Sequence, residues 1–202
     1  MTKQNMDLLV ELETMRKVVM NARFGTNYIE FERAHRFMDS ALRNSTENIS
    51  YLHGDLLESH ANIIVHQVNC MGVMGAGLAR QIRSKWPNVY NEYRALCDEV
   101  SAPRDLMGKA QMVSVEPGCS VANCFAQQDY RRAGQNICLT DYGSLSLALN
   151  EVREFATSIN ARAVALPFEL GCGLAGGDWN IVRDIIDEAL GNTAFEVKIY
   201  KK

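Results

Sequence analysis

The sequence lacks the features that mark membrane and secreted proteins. No apolar run reaches the roughly 18 residues that a membrane-spanning helix needs, so we expect no membrane association. The first residues, Met1 to Asn5, lead into an amphipathic segment instead of the apolar stretch of a secretory signal. We therefore expect the protein to be cytoplasmic.

An excess of basic residues is also missing. Lysine and arginine together number 21, aspartate and glutamate 24, and the formal net charge is −3 at pH 7. Surfaces that bind nucleic acid nonspecifically are usually strongly basic. We expect no strong nucleic-acid footprint, although the pair Arg131-Arg132 could form a local basic patch.

Cysteine spacing gives no sign of a metal site. None of the six cysteines forms a Cys-x-x-Cys pair with a matching histidine or cysteine pair, so we expect neither zinc nor another metal, and no cofactor. Their scatter through apolar segments is typical of reduced, mostly buried thiols in a cytosolic protein. They stand at Cys70, Cys97, Cys119, Cys124, Cys138 and Cys172.

The first quarter of the chain differs in pattern from the rest. Apolar residues recur at helical spacing over 6–22 and 28–42, and a polar linker follows. We predict an N-terminal helical hairpin extension over residues 1–48 and a separate domain over 49–202. The hairpin could contact a protein partner or another copy of the chain, and packing against its own core is the simplest alternative.

Strands alternate with helices over 49–202, which predicts an α/β domain with a mixed sheet and helices on both faces. The apolar patterns and turn residues define the elements. We predict strands at 49–52, 63–68, 109–115, 120–126, 163–168 and 195–200, and helices at 78–86, 89–100, 143–159 and 179–190.

A glycine-rich loop follows the second of these strands. Glycines at Gly72, Gly75 and Gly77 separate the strand from a helix that begins at Leu78. Glycine lets the backbone approach a ligand closely, and the free N–H groups at a helix start favour an anion. The spacing matches neither the Walker A loop nor the dinucleotide fingerprint. The loop alone is explained equally well as a phosphate-binding loop or as a flexible turn.

A second glycine loop occurs later in the chain. The segment LPFELGCGLAGGDW, from Leu166 to Trp179, follows an apolar strand and leads into a helix with Asp178 at the N-cap position. Ligands of open α/β sheets bind beyond the carboxyl ends of the strands. Two such loops could therefore hold a diphosphate from both sides.

Three motifs together resemble the macrodomain family, which binds ADP-ribose. They are HGDLL at His53–Leu57, HQVNC followed by GAGLA within His66–Ala79, and GCGLAGGDW at Gly171–Trp179. The resemblance covers residues 50–202 and implies a three-layer α/β/α fold around a mixed central sheet. It is strongest to the branch that contains ADP-ribose 1''-phosphate phosphatases and deADP-ribosylating macrodomains.

The resemblance implies an ADP-ribose-binding domain that hydrolyses a derivative such as ADP-ribose 1''-phosphate. Two alternatives stay open: a module that binds ADP-ribose without turnover, and a hydrolase of ADP-ribosyl adducts on protein or nucleic acid. By the same resemblance, Asp55 would accept a hydrogen bond from the adenine amino group beside Leu56, and Asn69 would contact the distal ribose. The backbone of two segments would hold the phosphates, namely Gly75, Ala76, Gly77 and Leu78 on one side and Gly171, Cys172, Gly173, Leu174 and Ala175 on the other.

His66 is the candidate catalytic residue. It falls where phosphatase-like members of the family carry a histidine near the terminal phosphate, and it could donate a proton or orient a water. A core histidine bonded to backbone is the alternative.

The chain departs from the family at two other positions. Gln127 and Gln128 stand where the deADP-ribosylating branch has a lysine, and Ala175 stands where one member type has an aspartate, which puts lysine-based chemistry in doubt.

Overall fold

The computed structural model describes residues 48–130 and 137–202. The predicted helical hairpin lies outside these residues, so it stays a prediction. The Arg131-Arg132 patch lies outside them as well. So does most of the segment 127–136, whose polar composition predicts either a lid over the site or a solvated loop.

The described part of the chain forms one six-stranded sheet. Its strand order is β1-β6-β5-β2-β4-β3. The β3–β4 pair is antiparallel and joined by a turn at Gly118, whose φ is +79°, whereas all other neighbours are parallel. The strands are β1 (Ile49–His53), β2 (Ile63–Asn69), β3 (Ala110–Glu116), β4 (Cys119–Gln127), β5 (Ala163–Pro167) and β6 (Glu196–Lys201).

Helices cover both faces of this sheet, as the alternating pattern predicts. The α-helices of the described ranges are α1 (Gly77–Lys85), α2 (Pro87–Glu99), α3 (Tyr142–Ser158) and α4 (Trp179–Leu190). One buried apolar cluster lies between the sheet and α1–α2, and a second lies between the sheet and α3–α4. This arrangement is the three-layer α/β/α fold. Two short 3-10 helices, Leu56–Glu58 and Pro103–Leu106, were not indicated by the periodicity.

Alternation along β2 determines which side chains face the candidate site. Ile63 and Val65 belong to the cluster under α3 and α4, and Ile64 and Val68 belong to the cluster under α1 and α2. His66 therefore points to the α1–α2 face of the sheet. Its neighbour in sequence, Gln67, points to the opposite face.

The helix starts differ in how they are capped. The carboxylate of Asp141 accepts from the N–H of Ser144 at the start of α3, and the carboxylate of Asp178 accepts from the N–H of Asn180 at the start of α4. At the start of α1 the N-cap residue is Ala76, whose side chain has no acceptor. The first N–H groups of α1 are thus left for a partner outside the helix. None of the helices within the described residues is long and apolar enough to span a membrane.

Candidate functional site

The two glycine loops lie side by side at one edge of the sheet. β2 and β5 are hydrogen-bonded neighbours and run parallel, so the loops that follow them leave from the same end. Between the loops is a cavity of about 450 Å³. Its lining includes, from the first loop and α1, Asn69, Val73, Gly75, Ala76, Gly77 and Leu78, and from the second loop Gly171, Gly173, Leu174 and Ala175.

A second cavity, of about 360 Å³, continues from the first. The two share Leu78, Pro167, Phe168 and Glu169 as lining residues. Asp55 and Leu56 line the second cavity. Together the cavities form a two-part groove of the size that small-molecule sites have, and its two ends differ in chemistry.

The first loop presents free backbone donors to the groove. The N–H groups of Gly77, Leu78 and Ala79 begin α1, where the helix itself offers no acceptor, and Ala76 supplies none. The first turn of α1 also holds no acidic residue. This end of the helix carries partial positive charge, so it favours an anionic ligand.

The second loop presents a matching set of donors. The N–H groups of Cys172, Gly176 and Gly177 bond to carbonyl oxygens inside the loop. Those of Gly173, Leu174 and Ala175 make no hydrogen bond to any residue that the structure describes. Residues with free backbone N–H groups therefore line the cavity on both sides.

Gly171 is held by a polar network on the α3–α4 face. The side-chain amide of Gln67 donates to Thr140 Oγ1 and to Gln127 Oε1, both at 3.0 Å, and Thr140 Oγ1 donates to the carbonyl oxygen of Gly171 at 2.7 Å. The φ of Gly171 is +71°, and a Cβ there would clash with Gln67 Oε1. Any other residue would be strained at this position and would displace the Gln67 side chain.

Asn69 holds the first loop in shape. Its Oδ1 accepts from the N–H of Met71 at 3.0 Å, and its Nδ2 donates to the carbonyl oxygen of Val73 at 2.7 Å. The hydroxyl of Tyr93, in turn, accepts from the N–H of Val73 at 3.0 Å and lies 2.8 Å from the carbonyl oxygen of Asn69. Since Oδ1 also accepts from the N–H of Val73 at 3.3 Å, one Nδ2 hydrogen of Asn69 remains for the predicted contact with a ribose.

Cys172 differs from its neighbours in the second loop because it is not among the lining residues of either cavity. Its Sγ donates to the carbonyl oxygen of Leu170 at 3.3 Å. Burial raises the pKa of this thiol to about 11, with the nearby Glu169 carboxylate adding to the shift, so the group is a neutral thiol at pH 7. Its part in ligand binding stays a prediction.

His66 lines the cavity from within β2 and is 1% exposed. Its Nε2 is 2.5 Å from Asn123 Oδ1, and its Nδ1 is buried without a hydrogen-bond partner among the described residues. Burial lowers the pKa of the imidazole to about 4, against a smaller opposing effect of the bond to Asn123. A neutral imidazole is a poor proton donor at pH 7, so the expected role in proton donation conflicts with this environment. Orienting a water or a hydroxyl group is compatible with it.

Asp55 reaches the second cavity with both oxygens engaged. Oδ1 accepts from the N–H of Leu57 at 3.0 Å, capping the first 3-10 helix, and Oδ2 is 3.0 Å from Lys202 Nζ. Both causes lower the pKa of this carboxyl, the hydrogen bond from Leu57 more than that from Lys202. The side chain of Lys202 is 72% exposed, so a ligand can displace it at little cost.

Phe168 is a lining residue that sequence reasoning missed. Its ring packs 4.7 Å from that of Trp179 and contributes to both cavities. The signal for it was its place, directly after β5 and before the second glycine loop.

No group of three or more histidine, cysteine, aspartate or glutamate side chains within 48–130 and 137–202 is arranged to hold a metal ion.

No family model matches the chain. Among curated proteins, it is 31% identical over 134 residues to a DNA ADP-ribosyl glycohydrolase of Mycobacterium tuberculosis, covering 66% of this chain and 36% of that protein. It is 23% identical over 177 residues to an ADP-ribose 1''-phosphate phosphatase of Saccharomyces cerevisiae, covering 74% of this chain and 97% of that protein. The chain thus spans little more than a third of the length of the bacterial relative.

The chain is also similar to a solved structure. A macrodomain protein from Streptomyces coelicolor superposes with a TM-score of 0.64 and 30% identity, over 76% of this chain and 99% of that one. The matched share corresponds in extent to the domain that follows the N-terminal segment.

Replacing Gly171 by alanine tests the geometry of the second loop. Because the added Cβ meets Gln67 Oε1 and the backbone has a positive φ, we expect Gly171→Ala to lower the free energy of unfolding by about 1–3 kcal/mol. Gly173→Ala is the matched control, since no atom lies within 4 Å of its added Cβ. Urea unfolding of both variants measures the difference. Equal stabilities would mean that Gly171 is not held as described.

The environment of His66 predicts a pH-dependent stability. Its folded pKa of about 4 lies below the ordinary 6.5, so the unfolded chain binds more protons between these values and stability falls as pH drops through this window. We expect this group to account for about 2 kcal/mol of the stability lost between pH 7 and pH 5. Urea unfolding at both pH values should show the loss reduced in His66→Gln. An unchanged loss in His66→Gln would contradict the assignment.

Proposed function

The chain belongs to the macrodomain family, and from this premise we propose that it binds ADP-ribose along the two-part groove and hydrolyses a derivative such as ADP-ribose 1''-phosphate. The curated relatives support this proposal, since they carry the names DNA ADP-ribosyl glycohydrolase and ADP-ribose 1''-phosphate phosphatase. The proposal applies to the domain of residues 49–202.

The observation that carries the proposal is the pair of opposed backbone donor sets. Gly77, Leu78 and Ala79 offer N–H groups from one side of the cavity, and Gly173, Leu174 and Ala175 offer them from the other. None of the described lining residues of this cavity is lysine or arginine. A diphosphate would be held by oriented N–H dipoles, which need no cationic side chain.

The two ends of the groove suit the two ends of ADP-ribose. The second cavity combines the carboxylate of Asp55 with apolar surface from Leu56, Leu78 and Phe168, as an adenine ring with its amino group requires. The first cavity extends past the loops to His66 and Asn69, where the distal ribose and a terminal phosphate would lie.

Hydrolysis at the distal end needs an attacking water and stabilisation of the phosphoryl charge. The free N–H groups of the loops supply the second requirement. His66, neutral and buried, would supply the first by accepting a hydrogen bond from the water. In the reaction the water oxygen bonds to phosphorus, the bond between phosphorus and the ribose oxygen breaks, and the proton that the water gives up ends on the leaving ribose oxygen.

A binding module without turnover is the second candidate function. It is favoured by the low pKa of His66 and by Gln127, Gln128 and Ala175, which stand where catalytic groups occur in the deADP-ribosylating branch. Hydrolysis of an ADP-ribosyl adduct on protein or nucleic acid is a third, since it also requires only an oriented water and a strained ribose.

Calorimetric titration with ADP-ribose tests the binding proposal. We expect wild-type protein to bind, and Asp55→Ala to weaken binding by about 1–3 kcal/mol because the adenine amino group loses its acceptor. Lys202→Ala is the matched control: it breaks the same ion pair and keeps the carboxylate, so it should bind at least as tightly as wild type. Wild-type affinity in Asp55→Ala would show that the adenine assignment is wrong.

Phosphate release from ADP-ribose 1''-phosphate tests turnover. We expect wild-type protein to release phosphate and His66→Ala to release it at least about 10-fold more slowly, because the water loses its acceptor. If the protein binds the substrate tightly without releasing phosphate, and His66→Ala does not change the binding, the result would favour the binding module without turnover. Release of ADP-ribose from modified DNA or protein, with no phosphate release, would identify adduct hydrolysis instead.

A further inference from the structure

A row of polar side chains crosses the sheet toward the cavity. Gln111 on β3, Asn123 on β4 and His66 on β2 are direct neighbours in the strand register. They lie on the α1–α2 face, where the flanking β4 residues Val121 and Phe125 are fully buried. Polar groups in such a layer destabilise the fold unless each is hydrogen-bonded, so a row of apolar side chains would stabilise the packing more simply.

The direction of every hydrogen bond in the row follows from its outer end. Gln111 Nε2 lies 3.1 Å from the carbonyl oxygen of Glu92, which can only accept, so the amide of Gln111 is fixed with its oxygen toward β4. That oxygen accepts from Asn123 Nδ2 at 3.0 Å. Asn123 therefore presents Oδ1 to the imidazole of His66.

An amide oxygen accepts and cannot donate, so His66 must carry its proton on Nε2. Its other nitrogen, Nδ1, is then an unprotonated acceptor. Every other link of the row is paired, and the row ends on this buried Nδ1 of a residue that lines the cavity. A row that served packing alone would have no reason to end on an unsatisfied acceptor beside a ligand site.

We propose that Asn123 and Gln111 are positioning residues of the site: they hold the imidazole of His66 as the Nε2–H tautomer, so that Nδ1 accepts a hydrogen bond from an O–H group in the cavity. The O–H group is that of the attacking water or of a ligand sugar. This inference rests on the proposed function for the identity of the ligand, and the tautomer itself is measurable without any ligand.

The tautomer is read from long-range 1H–15N correlations of the imidazole rings in uniformly labelled full-length protein. The chain has four histidines, and the signals missing in His66→Gln assign this one. We expect Nε2–H in wild type. Asn123→Leu removes the acceptor, so its spectrum should show a mixture of both tautomers. Nδ1–H in wild type, or an unchanged tautomer in Asn123→Leu, would overturn the proposal.

Substitutions at the partly exposed Gln111 keep the test available if Asn123→Leu fails to fold. Gln111→Glu still accepts from Asn123 Nδ2, so we expect Nε2–H to persist. Gln111→Lys offers only donors and should turn the Asn123 amide around, which places Nδ2 against Nε2 and moves the proton to Nδ1. The same tautomer in both variants would contradict an orienting role for Gln111.

Activity separates a positioning role from a structural one. In Gln111→Lys we expect phosphate release to fall about 10-fold or more, because the wrong tautomer cannot accept from the O–H group. In Asn123→Leu we expect a smaller fall, because the mixture keeps part of the imidazole in the Nε2–H form. If these variants bind ADP-ribose as tightly as wild type, the group that donates to Nδ1 is the attacking water. If they bind it more weakly, the group is a sugar hydroxyl. A shifted tautomer with neither slower phosphate release nor weaker ADP-ribose binding would overturn the positioning role. If wild type itself neither binds ADP-ribose nor releases phosphate, the proposed function fails, while the tautomer measurement stands on its own.

Discussion

The parallel pairing of β2 with β5 is the constraint on which the site depends. It aligns Ile63 with Val164 and Ile64 with Ala165, so both strands end at the same edge of the sheet. Each strand is followed by a glycine loop, and both loops line the same cavity. Because the two strands are buried from both faces by apolar residues, their register cannot slip without moving a set of core side chains into the wrong layer.

Side chains from the two faces of the sheet fix the conformation of the loops, and the backbone donors of the loops stay free. Asn69 and Tyr93 fix the first loop from the α1–α2 face, and Gln67 and Thr140 fix the second from the α3–α4 face. Gly77, Gly173 and Leu174 are exposed, so water can solvate their free N–H groups until an anion takes its place.

Local sequence patterns were sufficient for the elements and the loops. Helix α4 begins at Trp179 and ends at Leu190 as its periodicity and its capping residue Asp178 predict, and the strand positions agree to within one or two residues. The partners of individual side chains were not predictable in this way. Asp55 meets Lys202, 147 residues away, and His66 meets Asn123 only through the β2–β4 register. These contacts are set by long-range strand pairing, and they change the chemistry expected of both residues.

Backbone amide chemical shifts during a titration with ADP-ribose test the central claim, that one ligand is held by both loops, most directly. The account predicts that the 1H–15N signals of Gly77 and Leu78 move together with those of Gly173, Leu174 and Ala175, and that both sets saturate at the same ligand concentration. Movement confined to one loop, or two sets that saturate at different concentrations, would contradict it.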